Sequence, residues 1–470
     1  MFSYSPLEEM RESEAIERED VYAKITAKYG EGVTDALKAH YSLYDERFYL
    51  WLADLYDPGE YDKNGNPLGG GFYYSNSARD TSGYLIDIES TNQALSFLLS
   101  SGMLRGYDND YKKAIPEKMQ KEMVAFALSL QSPIDGYFYH PQWGTSITAG
   151  RLSRDMGNSV SLLARFGYKP LYNTPGGAEG SLGTPSRVSA ASDDNSEGSI
   201  WPERLRTLES WKAYIDSFED EMATESYTIG HNVAEQSAQI KNRDTEAKKN
   251  GEPSGYVEYV QKFFDRHQNP ENGLWDKTVS YRSVNGLMKI MAIYNWLELP
   301  LNYAERAYAS AVEIVKLVGA DVNGKLPTGS VDVYNAWCSL TRINENISKF
   351  GAKETVVTLR EKLLLDAEEM IRITTKKTAK FIKDDGSYGY TWNYSPARSQ
   401  GAPAAVPETI EGDVNGGTIA LTAVTGNMMS ALGISGLYIY YPSDFEVFIK
   451  RASERSLVAK NISRNKIPQN

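Results

Sequence analysis

The chain has too little of several things to fit several large functional classes. Its single cysteine, Cys338, in 470 residues excludes an intrachain disulfide framework and a cysteine-rich zinc site. The four histidines include no His-x-x-x-His or comparable pair, so no transition metal is expected; carboxylate-rich loops leave Ca²⁺ open. No run of about 18 apolar residues occurs, so no membrane span is expected. The opening MFSYSPLEEMRESEAIERED lacks the apolar stretch of a secretory signal, and the chain reads as soluble and cytoplasmic. Long basic runs are missing as well. A net charge of -12 and a pI near 5.1 argue against nucleic acid or an anionic membrane, which bind through clustered Lys and Arg. Cofactor fingerprints fail too. The segment from Gly319 to Leu326 imitates a phosphate loop, but Leu326 cannot offer Mg²⁺ a hydroxyl and a helical pattern, not a strand, precedes it. No cofactor is expected.

What is present is ordinary in bulk: 41% hydrophobic and 24% charged residues, enough for a sizeable core. Phenylalanine is scarce, 14 residues against 32 Tyr and 8 Trp. Tyr and Trp join a ring face to a polar handle, which suits a wet cleft holding sugar rings, although packing between amphipathic helices accounts for most of them.

Two repeats organise the chain. Gln131-Ser-Pro-Ile-Asp-Gly136-Tyr-Phe138 and Gln268-Asn-Pro-Glu-Asn-Gly273-Leu-Trp275 share Gln-x-Pro-x-x-Gly-x-aromatic without a gap. Lys383-Asp-Asp-Gly386-Ser-Tyr388 matches the end of it, and Gly69-Gly-Gly-Phe72-Tyr-Tyr74 does so loosely. Each follows one helical pattern and precedes another, Pro stopping the first helix and Gly giving the turn its backbone freedom. The second repeat is an Asn beside small residues near the start of apolar helices: Asn92, Asn158, Asn232, Asn285, Asn335 and Asn415, separated by 66, 74, 53, 50 and 80 residues. That spacing is two helices per unit plus loops. Longer amphipathic helices, among them 34–57, 207–218, 302–318 and 353–373, fall between them and predict an outer layer around crowded inner helices.

With these features the chain resembles, over roughly residues 35 to 435, the (α/α)6 toroids shared by many six-hairpin glycosidases, toroidal polysaccharide lyases and terpenoid cyclases. The Gln-x-Pro-x-x-Gly-x-Trp turn is similar to the Gln-Trp turns of the cyclases. The resemblance implies an all-α fold of six helical hairpins in inner and outer rings, one domain over 1–470, with extra terminal helices. Long loops at 171–202 and 393–416 lead into one mouth of the ring.

Functional groups should then collect before each repeated Asn. Asp87 and Glu89 precede Asn92; Arg151, Arg154 and Asp155 precede Asn158; Glu225, Tyr227 and His231 precede Asn232. Arg282, Asp332, and Glu411 with Asp413 precede Asn285, Asn335 and Asn415. Each alone reads first as a helix cap; charges of both signs gathered at one mouth point further.

Glycosidic hydrolysis of an oligosaccharide needs a carboxylic acid and a second carboxylate. Asp87, Glu89, Asp155, Glu411 and Asp413 are candidates, with Asp155 and either Glu411 or Asp413 the favoured catalytic pair. Arg154, Asn158 and Trp143 would bind sugar. The runner-up, β-elimination on a uronic-acid glycan, needs a base and groups that stabilise an enolate. His231, Tyr227, Asn232, Asn393, Tyr394 and Arg398 would serve it, with His140 a further candidate and Arg154 and Arg398 facing the substrate carboxylate. A non-catalytic toroid that binds a glycan or protein is the third reading. A terpenoid cyclase is disfavoured, since its Asp-x-Asp-Asp motif is absent and Asp193-Asp194-Asn-Ser-Glu197 lies in a Ser-rich stretch.

Overall fold

The computed structural model describes residues 6–186 and 201–464, with side chains to residue 455. Among them the chain is mostly helical. β-Structure is limited to the antiparallel pairs Tyr56–Asp57 with Gly71–Phe72 and Arg398–Ser399 with Ala402–Pro403, plus isolated bridges. The all-α expectation holds. No described helix is long and apolar enough to cross a membrane.

All six repeated asparagines lie on helices: Ile88–Ser100, Ala149–Arg165, Met222–Ala234, Tyr281–Leu297, Ser330–Phe350, and Val414–Thr418, which runs through a π-helical turn, Ile419–Ala423, into Val424–Leu432. They pack in sequence order, and the last returns to the first. Asn92 Nδ2 donates to Asn158 Oδ1 at 2.8 Å, and Arg154 Nη1 to Glu235 Oε1 at 3.0 Å. Farther round, Asn285 Nδ2 donates to Asp332 Oδ1 at 2.8 Å and Thr341 Oγ1 to the Asn427 carbonyl at 3.3 Å. Gln93 Nε2 closes the circuit on Asn415 Oδ1 at 3.1 Å. Small residues beside the asparagines permit this approach: a Cβ on Gly286 would overlap Ser226 on the neighbouring helix, and one on Gly416 would overlap the backbone of Gly389 and Tyr390. The amphipathic helices Glu117–Ser129, Tyr256–His267, Ala304–Lys316 and Ala367–Ala379 alternate with them along the chain.

Gln131 and Gln268 fasten these units together. Gln131 Nε2 donates to the Gly136 and Tyr172 carbonyls while its Oε1 accepts from the Leu171 and Tyr172 amides. Gln268 Nε2 repeats this on the Gly273 and Asn302 carbonyls, both at 2.8 Å. Gly136 and Gly273 take φ of 75° and 71°, where a side chain is strained.

Three expectations need correction. The segment 34–57 is two helices, Glu31–Tyr41 and Glu46–Asp54, because Asp45 caps the second by accepting from the Arg47 amide. Likewise 353–373 breaks at Leu365 and Asp366. Asn158, the tenth residue of the helix Ala149–Arg165, sits past its middle, and Asn232 sits in the last turn of its helix, rather than near the start. Gly286, beside Asn285, faces Ser226, so Asn232 lies nearly two turns farther along, roughly 10 Å at 1.5 Å per residue. In the first long loop, residues 187–200, which hold Asp193-Asp194-Asn-Ser-Glu197, lie outside the described residues.

Candidate functional site

The closed circuit surrounds a cavity of about 440 Å³ to which every one of the six Asn-bearing helices contributes. On the Asn335 helix, Val331, Tyr334, Asn335 and Arg342 share one face at helical spacing. The rise from the first to the last of these is about 16 Å. Tyr390 and Gln400 enter from loops. Gln400 forms the tip of the hairpin Arg398–Pro403, where it and Gly401 take φ of 49° and 88°, a two-residue turn with both residues left-handed.

The lining is cationic. Arg154, Lys289 and Arg342 reach it, and Glu235 is its one carboxylate among the described residues. Glu235 Oε1 is shared three ways, at 3.0 Å from Arg154, 3.5 Å from Lys289 and 3.5 Å from His231 Nδ1. Burial works to raise the Glu235 carboxyl, but these neighbours outweigh it and take it down to about 2, so Glu235 is an anion at neutral pH. His231 is taken down to about 4 by burial and then by Lys289 and Arg154, so it is neutral there.

Behind this wall lies a buried charged network. Arg151, with no exposed side-chain surface, meets Asp87 and Asp155, each at 2.8 Å, and Glu89 at 3.4 Å. It also donates to the Ser399 carbonyl at 2.7 Å, which fixes the hairpin bearing Gln400. Glu89 spans the wall, its Oε2 also accepting from Arg154 Nε at 2.7 Å. Burial raises Asp87, yet Arg151, His140 and the Ser90 hydrogen bonds leave its carboxyl below the usual range. Asp155 goes the other way: burial, with Asp87 and Glu89 nearby, pushes it up to about 7 against the pull of Arg151.

That shift has a sign that can be tested. The folded state holds the Asp155 proton more tightly than the unfolded chain, so its contribution is full below about pH 4 and is lost as pH rises towards 7. Asp155→Asn should therefore gain stability relative to wild type across that window. Paired urea denaturation at pH 4.5 and 7.5 checks this; a difference independent of pH sinks it.

The sequence candidates divide. Tyr227, Arg154, Asn335 and Asn415 line the cavity. Asp87, Glu89 and Asp155 stand behind it with Arg151. His231 lies one turn beyond Tyr227, the rings parallel within 17° at 6.4 Å. Asn92 and Asn158 bond each other beside Gln93, Asn285 is held by Asp332, and Asn232 faces Gly150. His140 and Trp143 stack at 3.8 Å, Trp143 covering Arg151. The others are not brought to the lining. Glu411 accepts from the Ser77 amide and hydroxyl. Asp413 caps the Asn415 helix through the Gly416 amide and also accepts from the Tyr390 amide and the Ser395 hydroxyl, with burial pushing it up to about 6. Arg398 folds back on the Gly401 carbonyl, and Tyr394 is exposed. For Glu411 and Asp413 the demand of free backbone amides at helix starts prevailed.

The sequence reading missed Glu235, Lys289, Tyr334, Arg342, Tyr390 and Gln400. Four have a recoverable signal: Glu235 follows His231 and Lys289 follows Asn285 by one turn, while Tyr334 and Arg342 share the face of Asn335. Compared with known protein families, curated proteins and solved structures, the chain matches none.

Proposed function

We propose that the six Asn-bearing helices are the inner ring of an (α/α)6 toroid and that the chain is a carbohydrate-active enzyme cleaving an acidic oligosaccharide by β-elimination. The observation that carries this reading is the lining itself, which sets Arg154, Lys289 and Arg342 against a single carboxylate and adds Tyr227, Tyr334 and Tyr390. In such a reaction a base removes the proton on the carbon beside the uronate carboxylate and the electron pair moves into an enolate. The β carbon–oxygen bond then breaks as a double bond forms, and the departing oxygen takes a proton. Cations stabilise the enolate. On this reading proton transfer falls to Tyr227, which lines the cavity, and to the neutral His231 one turn beyond it.

Hydrolysis is the second reading: Asp155, pushed up to about 7, holds a proton near neutrality while Glu235 stays ionised, and the reaction requires Asp155, which stands behind the lining, to be brought to the substrate. A panel of neutral and uronic-acid oligosaccharides separates the two. Elimination yields new reducing ends together with the ultraviolet absorbance of an unsaturated uronide, on uronate substrates alone. New ends without that absorbance mean hydrolysis. Silence across the panel removes the enzymatic reading for these glycans and favours a binding toroid.

A further inference from the structure

The three cations of the cavity are not equivalent. Arg154 is held by Glu89 and Glu235 together, and Lys289 leans on Glu235 at 3.5 Å. Arg342 has no carboxylate within 4.0 Å among the described residues; its Nη1 donates to the Met288 carbonyl at 2.7 Å and touches Met288 Sδ at 3.1 Å. Lys289 follows Met288 directly on that helix and feels both Arg154 and Arg342 as repelling neighbours, adding to the burial that lowers its affinity for a proton. Asn335, two turns before Arg342 on the same face, is wholly buried on the lining, and neither atom of its amide has a hydrogen-bond partner. An amide buried without partners is unfavourable, and like charges brought together in a cavity disfavour one another. An anion seated among them relieves both.

Resting on the oligosaccharide reading above, we infer that Arg342, Lys289 and the Asn335 amide form a carboxylate subsite that selects a uronate over the corresponding neutral sugar. Arg342 is the residue that decides the selection, because its charge alone of the three is not already answered by a carboxylate in contact. Arg154 has a different part: it ties the cavity wall to the buried network through Glu89. The guanidinium offers a carboxylate two parallel N–H donors, Lys289 a third, and Asn335 a neutral donor. A hydrogen bond to a charged group contributes about 1.5–3 kcal/mol, which corresponds to roughly a 10- to 100-fold preference.

The test is calorimetric titration of a uronate oligosaccharide and of its carboxyl-reduced, neutral counterpart into the full chain. Wild type should bind the uronate at least about 10-fold more tightly. Arg342→Gln should bind the two alike, Arg342→Lys should keep part of the preference, and Arg154→Gln should keep most of it. Partial retention in Arg342→Lys, with an unchanged melting temperature for Arg342→Gln, separates loss of the charge from loss of the fold. No preference in wild type, or a preference that survives in Arg342→Gln, overturns the subsite. A preference that depends on Arg342 without formation of the unsaturated uronide overturns elimination and leaves the subsite standing.

Discussion

Arg151→Met should lower stability by about 3–5 kcal/mol, the cost of removing one partner from a buried ion pair. Arg151 answers Asp87, Glu89 and Asp155 at once, and no side chain of this group is more than a few per cent exposed. Glu89 would retain Arg154. Asp87 would keep its Ser90 hydrogen bonds, and Asp155 would lose the counter-ion it contacts. An unfolding entropy of about 2.1 cal/mol/K per residue makes each kcal/mol worth about 1 °C in a chain of this length, so the melting temperature should fall by about 3–5 °C. Adding Asp155→Asn should recover part of the loss by removing the carboxylate least able to stay charged. A single variant that melts within 1 °C of wild type would mean that the three carboxylates do not need this cation.

On the elimination reading, Tyr227→Phe should lower kcat by about 100- to 10,000-fold, the range for removing a positioned acid or base. Tyr227 lines the cavity and its ring lies parallel to that of His231. Burial raises its hydroxyl above the ordinary tyrosine range, with Arg154 pulling against this, so at neutral pH it carries its proton and its part in the transfer is that of donor. The neutral His231 then fits the other half of the transfer. His231→Gln should produce a loss of similar size and shift the acid limb of the pH–rate profile, whereas Tyr227→Phe should alter the alkaline limb. Loss in KM alone, with kcat preserved in both variants, would assign the pair to binding.

The sequence was most legible where one physical demand acted alone. Helix period and the Gln-x-Pro-x-x-Gly-x-aromatic turn located the units, because a turn with a left-handed Gly admits few alternatives. The glutamine was harder: it reads as a helix end, yet its side chain bonds a carbonyl 41 residues away in one unit and 34 in the other. The site was partly legible. Arg154, Tyr227, Asn335 and Asn415 were found because they accompany the repeated asparagines. Glu235 and Arg342 lie beyond the helix starts at which the repeated pattern points, since the cavity runs about three turns along the Asn335 helix. Glu411 and Asp413 were over-read for the converse reason. A carboxylate before a helix looks the same whether it awaits a substrate or a backbone amide, and only distance separates the two.

The hold that Arg151 keeps on the hairpin falls on the backbone carbonyl of Ser399. A main-chain oxygen is the same whatever side chain the residue carries, so the mounting fixes where the hairpin sits and leaves open what it presents. At the tip, Gln400 is thus the position free to vary, within what its left-handed backbone allows, while Gly401, at φ 88°, is held to glycine, and both sit on a permanently charged bracket. The side chain presented there can change without disturbing the buried network that holds the hairpin in place.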